Sequence, residues 1–278
     1  MIKLIAFDID GTLNNSNHEI SIKTKEVIMK AQRKGIIVVL ASGRPESGLV
    51  DSARALDLKN NRGVLISYNG SKAIDLESGC EIYNEFLDIH DAKAVLEHMK
   101  KFNVKPMIYD GEYIVVNNVY DNYVNYNGGF NVIEFEARQG HYLLKEARDM
   151  TQYVDFPINK ILTAGDPEYL EAHYKEMMEP FKDRLNCTFT ARFYFEFMRK
   201  DINKGKALAK IAEFFGFERD EIAAFGDASN DIEMLEYAGH GIAMGNAFDS
   251  VKEVADYVTL SNDEDGIVHA FKNYLHII

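Results

Sequence analysis

Lys3-Leu4-Ile5-Ala6-Phe7-Asp8-Ile9-Asp10-Gly11-Thr12 is the stretch on which the fold turns. Its first five residues read as a short buried strand. Two carboxylates follow at once, and Gly11 lets the chain turn away. Open α/β sheets collect their ligands beyond the carboxyl ends of their strands, so acidic residues at this point mark a candidate site. Working outward, residues 21–34 carry helical spacing through Ile22, Val27, Ile28 and Ala31, and Gly35 ends the pattern. Residues 36–40 form a β-branched run, a helix then places Leu49, Ala53 and Leu56 on one face, and residues 64–67 read as another buried strand. This alternation predicts an α/β fold with a doubly wound, Rossmann-like parallel sheet covered on both faces. Ser78-Gly79 divides residues 73–83 into a hairpin.

The middle of the chain has another rhythm. Residues 90–102 are predicted helical, 105–109 and 113–116 pair around Asp110-Gly111, and 140–150 are predicted helical again. Residues 158–163 read as a strand, Asp166-Pro167 as a capped helix start, and 188–198 as two further strands. The first pattern then returns, with helices over 203–215, 231–237 and 248–255 and strands over 222–225, 241–244 and 257–260. The expected organisation is a discontinuous α/β core, residues 1–83 and 199–278, split by an inserted α+β domain over 84–198.

Hydrophobic residues make up 46% of the 278 and charged residues 27%, the balance of a globular chain with a sizeable core. Asp8 and Asp10 interrupt the apolar opening before a signal peptide or membrane span forms, and Cys80 and Cys187 lie far apart. A cytoplasmic protein, monomeric or weakly dimeric, is expected. Lys plus Arg (31) against Asp plus Glu (44) gives a net charge of −13, which works against nucleic acid and membrane partners. A phosphate ligand would then need a local cation.

Asp8 and Asp10, two apart in an extended segment, start on one side about 7 Å from each other. One can attack phosphorus while the other protonates the leaving oxygen and later activates water. Taken alone, the pair reads as an acidic turn. Three further segments fall at strand ends or helix starts. In Ala41-Ser42-Gly43-Arg44, Ser42 can offer its hydroxyl and nearby N–H groups to a phosphate oxygen. In Asn203-Lys204-Gly205, Lys204 opens a helix with a fixed backbone. Gly226-Asp227-Ala228-Ser229-Asn230-Asp231 adds two carboxylates and an amide at another strand end. Like charges about 4 Å apart repel by about 4 kcal/mol at an effective dielectric of 20, so this many carboxylates beside a phosphate demand Lys204 and a divalent ion. Mg²⁺ suits carboxylate and carbonyl oxygens; a Zn²⁺ site would need a His or Cys cluster, and the eight histidines are scattered.

Together these segments resemble the haloacid dehalogenase superfamily, specifically its Cof-like phosphatases with a large α/β cap inserted after the third core strand. Asp8-Ile9-Asp10-Gly11-Thr12-Leu13 is similar to the first motif, Ser42 to the second, Lys204 to the third, and Gly226-Asp227 to Asn230-Asp231 to the fourth. The resemblance implies Asp8 as nucleophile, Asp10 as general acid and base, and Ser42, Gly43 and Lys204 around the phosphate. Asn230 and Asn69, the latter in Tyr68-Asn69-Gly70-Ser71, are further implied phosphate contacts. Asp8, the Asp10 carbonyl and Asp227 are the implied Mg²⁺ ligands, with Asp231 supporting the metal waters or Lys204. Ser71 stands where the family usually has Ala, and Asn14 follows Leu13 at a commonly apolar position. The insertion is implied to be a cap that excludes water and contacts the substrate, with Lys160 and Arg192 as candidate contacts and Tyr109, Tyr123 and Tyr126 beside them.

The expected function is Mg²⁺-dependent hydrolysis of small phosphomonoesters, sugar phosphates or related metabolites, through an aspartyl phosphate. A phosphomutase using the same aspartate and a non-catalytic phosphometabolite-binding module are the competing readings. A glycosidase gives Ser42 and Lys204 no role.

Overall fold

Ile5 and Phe7 pack into one apolar cluster and Leu4 and Ala6 into another, so the first strand is buried on both faces. That is the environment of a central parallel strand. In the computed structural model, which describes residues 1–277, the chain begins with β1 (Leu4–Asp8), α1 (Ile22–Arg33), β2 (Ile37–Ala41), α2 (Val50–Ala55) and β3 (Val64–Ser67). A hairpin of β4 (Lys72–Asp75) and β5 (Glu81–Asn84) follows. The inserted segment holds α3 (Ile89–Met99), β6 (Lys105–Asp110), β7 (Tyr113–Val116), β8 (Tyr123–Val124), β9 (Phe130–Asn131) and α4 (Val132–Gln139). It continues with β10 (Leu143–Glu146), α5 (Met150–Tyr153), β11 (Lys160–Ala164), α6 (Pro167–Met178), β12 (Leu185–Ala191) and β13 (Tyr194–Arg199). The chain then forms α7 (Lys204–Phe215), β14 (Ile222–Gly226), α8 (Ile232–Tyr237), β15 (His240–Ala243), α9 (Asp249–Lys252), β16 (Tyr257–Val258) and α10 (Gly266–Asn273).

The chain divides into two compact units, residues 1–84 with 203–278, and residues 85–202. In the first, an eight-stranded sheet has the order β16-β15-β14-β1-β2-β3-β4-β5, parallel from β16 to β3 and antiparallel through the hairpin. The order runs outward in both directions from β1 and β14, which is the doubly wound switch point where such sheets bind ligands. Residues of α1 and α10, among them Val27, Ile28, Ala31, Ile267 and Phe271, cover one face. Residues of α7 and α8, among them Ala207, Leu208, Ile211, Met234 and Leu235, cover the other. Ser21 caps α1 by accepting from the Thr24 N–H, and Asn203 caps α7 by accepting from the Lys206 N–H. Phe7 stacks on Phe225 at 5.0 Å between ring centroids, tying the two central strands through their side chains.

The second unit is a six-stranded sheet of order β10-β7-β6-β11-β13-β12 with a separate β8–β9 ribbon. Residues of α3 and α6 pack on one face and residues of α4 on the other. One sequence expectation fails here. Residues 140–150 are not a helix: α4 ends at Gln139 with Gly140 as its cap, and β10 instead pairs in parallel with β7, Leu143 opposite Tyr113 and Glu146 opposite Val116. Leu, Lys, Glu and Ala favour helix locally, but an open strand edge offers this segment a full ladder of backbone partners. The helix expected over 248–255 is only the turn of α9, and α10 was not anticipated. No helix among the described residues is long and apolar enough to cross a membrane.

Candidate active site

The carboxyl ends of β1, β2, β3 and β14 place Asp8, Ser42, Asn69 and Asp227 at one edge of the core sheet. Asp8 is the last residue of β1 and 7% exposed. Its partner comes from the opposite end of the sequence. Lys204, at the first turn of α7 and wholly buried, donates from Nζ to Asp8 Oδ1 at 2.6 Å and to Asp231 Oδ1 at 2.7 Å. The other oxygen of Asp231 accepts from the backbone N–H groups of Asp227 and Ala228, each at 3.0 Å. Both Asp231 oxygens are thus occupied in holding Lys204 and the loop after β14.

Asp227 is held differently. Thr12 Oγ1 donates to its Oδ1 at 2.7 Å, and its backbone carbonyl accepts from the Phe248 N–H at 3.1 Å. Gly11, at φ +88°, passes directly beneath it, and a Cβ there would lie 2.3 Å from Asp227 Oδ2. Only glycine combines this backbone conformation with so close an approach. The Gly11 carbonyl accepts from Asn246 Nδ2 at 2.8 Å, which pins the turn.

Asp8, Asp227 and Asp231 offer ligand oxygens that all lie within 4.8 Å of one another. Burial pushes the Asp8 carboxyl well above the usual range, Asp231 adds to the push, and Lys204 opposes it. Burial lifts Asp227 to about 6, the Thr12 hydrogen bond opposing and the Asp231 charge assisting. Lys204 is drawn down by burial, yet Asp231 and Asp8 outweigh this and hold it firmly protonated. Three carboxylates share a single ammonium here, so with all of them ionised the cluster carries surplus negative charge. An all-oxygen donor set with surplus negative charge fits a hard divalent cation. Asp8 and Asp227 are the carboxylates with oxygens to spare for it.

Ser42 follows β2 and is 3% exposed, with its N–H on the Ile66 carbonyl and its own carbonyl accepting from the Asn69 N–H, both at 3.0 Å. Asn69 sits in the left-handed region at φ 55°, and its Oδ1 accepts from Asn230 Nδ2 at 2.9 Å. A side chain on Gly43 would press on Asn69 at 3.0 Å. Ser42, Gly43, Asn69 and Asn230 therefore form one connected rim. Asp10 stands apart from the buried carboxylates: Arg44 grips it from Nε and a terminal nitrogen at 3.0 and 2.6 Å.

Lys160 and Arg192 are not brought together. Lys160 is buried on β11 in an ion pair with Glu196 at 2.7 Å, whereas Arg192 is exposed in the turn between β12 and β13. The pairing of Lys160 with Met198 and of Ala164 with Tyr194 puts them at opposite ends of that ladder, at least about 13 Å apart. Sequence reasoning missed Thr12 and Asn246. Thr12 stands inside the quoted motif and was available to it; nothing local marks Asn246, which reaches Gly11 only because β15 lies two strands from β1.

The sequence profile of the haloacid dehalogenase-like hydrolases matches residues 5–271. A Bacillus subtilis protein, the 5-amino-6-(5-phospho-D-ribitylamino)uracil phosphatase YcsE, is 33% identical over 99% of this chain and 96% of its own length. Among solved structures, a haloacid dehalogenase-like hydrolase from Bacteroides thetaiotaomicron is 34% identical with a TM-score of 0.89, each chain fully covered. The subclass IIB sugar phosphatase BT4131 is 27% identical with a TM-score of 0.79 over 99% of this chain and all of that one.

Proposed function

This chain belongs to the haloacid dehalogenase-like hydrolases and is a phosphatase, and on that premise we propose that it hydrolyses small phosphomonoesters of sugars or related polyols through an aspartyl phosphate on Asp8. The observation that carries the mechanism is the Lys204 bridge between Asp8 and Asp231. It holds a buried carboxylate in line with the sheet edge while leaving its second oxygen uncommitted. In the first half-reaction that oxygen attacks phosphorus, the phosphorus–oxygen bond of the ester breaks, and Asp10 gives its proton to the departing alkoxide. In the second, Asp10 takes a proton from water as the water oxygen attacks the same phosphorus and Asp8 is regenerated. Ser42, Gly43, Asn69, Asn230 and Lys204 would bind the phosphoryl oxygens throughout.

Mg²⁺ held by Asp8, Asp227 and the Asp10 carbonyl would supply the charge that lets a phosphate dianion enter an acidic cluster. Thr12 and Gly11 serve that arrangement by fixing Asp227. Selection of the leaving group is assigned to the insertion, residues 84–198 by sequence, where Arg192 is the exposed candidate contact and Lys160 is committed to Glu196. Two resemblances support the substrate class: one relative is named for a ribityl phosphate and one structural neighbour is a sugar phosphatase. A panel of sugar phosphates, alditol phosphates, nucleotides and flavin mononucleotide, ranked by kcat/KM in Mg²⁺, tests it. Sugar and alditol phosphates should lead the ranking, chelator should abolish phosphate release, and Asp8→Asn should be inactive. Turnover surviving in Asp8→Asn would exclude the covalent route.

A further inference from the structure

Arg44 has no part in the reaction as set out, yet it is the most strongly engaged side chain of the loop after β2. Its guanidinium meets the Asp10 carboxylate edge to edge, Nε donating to Oδ2 at 3.0 Å and a terminal nitrogen to Oδ1 at 2.6 Å. Its backbone is tied to the same loop: the Arg44 N–H donates to Ser42 Oγ at 3.2 Å, and its carbonyl accepts from the Tyr68 N–H at 3.0 Å. The root of the side chain is therefore fixed beside Ser42 while its tip holds Asp10. Both tips stay open to water, with 29% and 45% of the two side chains exposed. Such a pair is weak enough to exchange. A planar guanidinium presents the same fork to a phosphoryl group as to a carboxylate.

We propose that Arg44 is a shared anion latch, holding Asp10 as a carboxylate while the site is empty and transferring to the phosphoryl oxygens of an arriving phosphomonoester, which frees the Asp10 side chain to take up a proton from water and pass it to the leaving oxygen. The inference rests on the phosphatase reading above. Competition drives it: a phosphate dianion outbids a single carboxylate for one guanidinium, and Asp10 must lie near the leaving oxygen to act at all. Arg44 is then a phosphate-binding residue and a positioning residue for Asp10. Phosphate affinity is reduced by the fraction of Arg44 that Asp10 retains.

Calorimetric titration of the full-length protein in Mg²⁺ with orthophosphate tests this through a double-mutant cycle. Arg44→Gln should weaken orthophosphate binding about tenfold, a lost charge-assisted fork. Asp10→Asn should tighten it about three- to fivefold by releasing Arg44. In the Arg44→Gln background, Asp10→Asn should change nothing beyond about twofold, since no guanidinium remains to be released. Arg44→Lys keeps the cation without the fork and should fall between wild type and Arg44→Gln; Arg44→Met, which also lacks the cation, carries the cycle if the glutamine variant does not fold. A flat cycle would mean that the pair is only structural, and tightening that persists without Arg44 would mean general charge relief; either overturns the latch. Wild-type protein that neither binds orthophosphate nor releases it from any phosphomonoester refutes the phosphatase reading instead.

Discussion

Lys204 sits with no exposure between Asp8 and Asp231, and a buried ammonium is tolerated only because both carboxylates bond it directly. The arrangement leaves Asp227 under-compensated. Its carboxyl is lifted by burial from 3.8 to about 6, so the folded state binds that proton more tightly than the unfolded chain does. Its contribution to stability is complete below the unfolded value and is lost as pH rises through the folded one. In chelator, thermal melts taken from about pH 4 to about pH 7 should therefore include a falling component from this group. Asp227→Asn should remove that component, and Mg²⁺ should offset it in the wild type alone. A wild-type and an Asp227→Asn series of identical slope would contradict the reading. Asp8, Asp227 and Lys204 were legible as residue types at motif spacings. Thr12 was legible only as a neighbour, because its partner lies 215 positions away.

At the scale of elements, the position of Lys204 is set by how α7 lies on α8. Gly205 is the contact: a Cβ there would lie 2.2 Å from the Glu233 carbonyl oxygen, a backbone atom that cannot swing aside. Gly205→Ala must push the two helices apart, and it adjoins Lys204. Overpacking of this kind costs about 1–3 kcal/mol, which urea denaturation should register. Phosphate release should fall as well, since the ammonium moves with the helix. Full stability in Gly205→Ala would show that α7 can shift freely. The same scale holds the clearest misreading. Residues 143–146 look helical in isolation, and Leu143 and Leu144 are exposed, so burial gave them no strand signature. Their state is decided by the open edge of β7, which no local pattern reports.

The whole molecule consists of two units with separate apolar clusters, and the acidic site draws its residues from the first alone. A divalent ion that binds this site stabilises the unit that forms it, by mass action. Hydrogen exchange followed by mass spectrometry should show Mg²⁺ slowing exchange in β1, β14 and the start of α7, with residues 85–202 unchanged. Equal protection of both units would mean that they open as one. Uniform indifference to Mg²⁺ would contradict the assigned ligands.

By itself the sequence determined the class of fold and the residues that gather at its acidic site, because strand periodicity, helix caps and turn glycines are local, and because those residues stand at the ends of predicted strands or the starts of helices. Tertiary structure alone decided the pairings. That Lys204 spends its charge on Asp8 and Asp231, that Asp231 is consumed in holding it, and that Arg44 rather than a metal neighbour grips Asp10 all follow from strands 1, 2 and 14 being adjacent. Adjacency is a property of the sheet order, and a buried charge finds its partner only when that order closes around it.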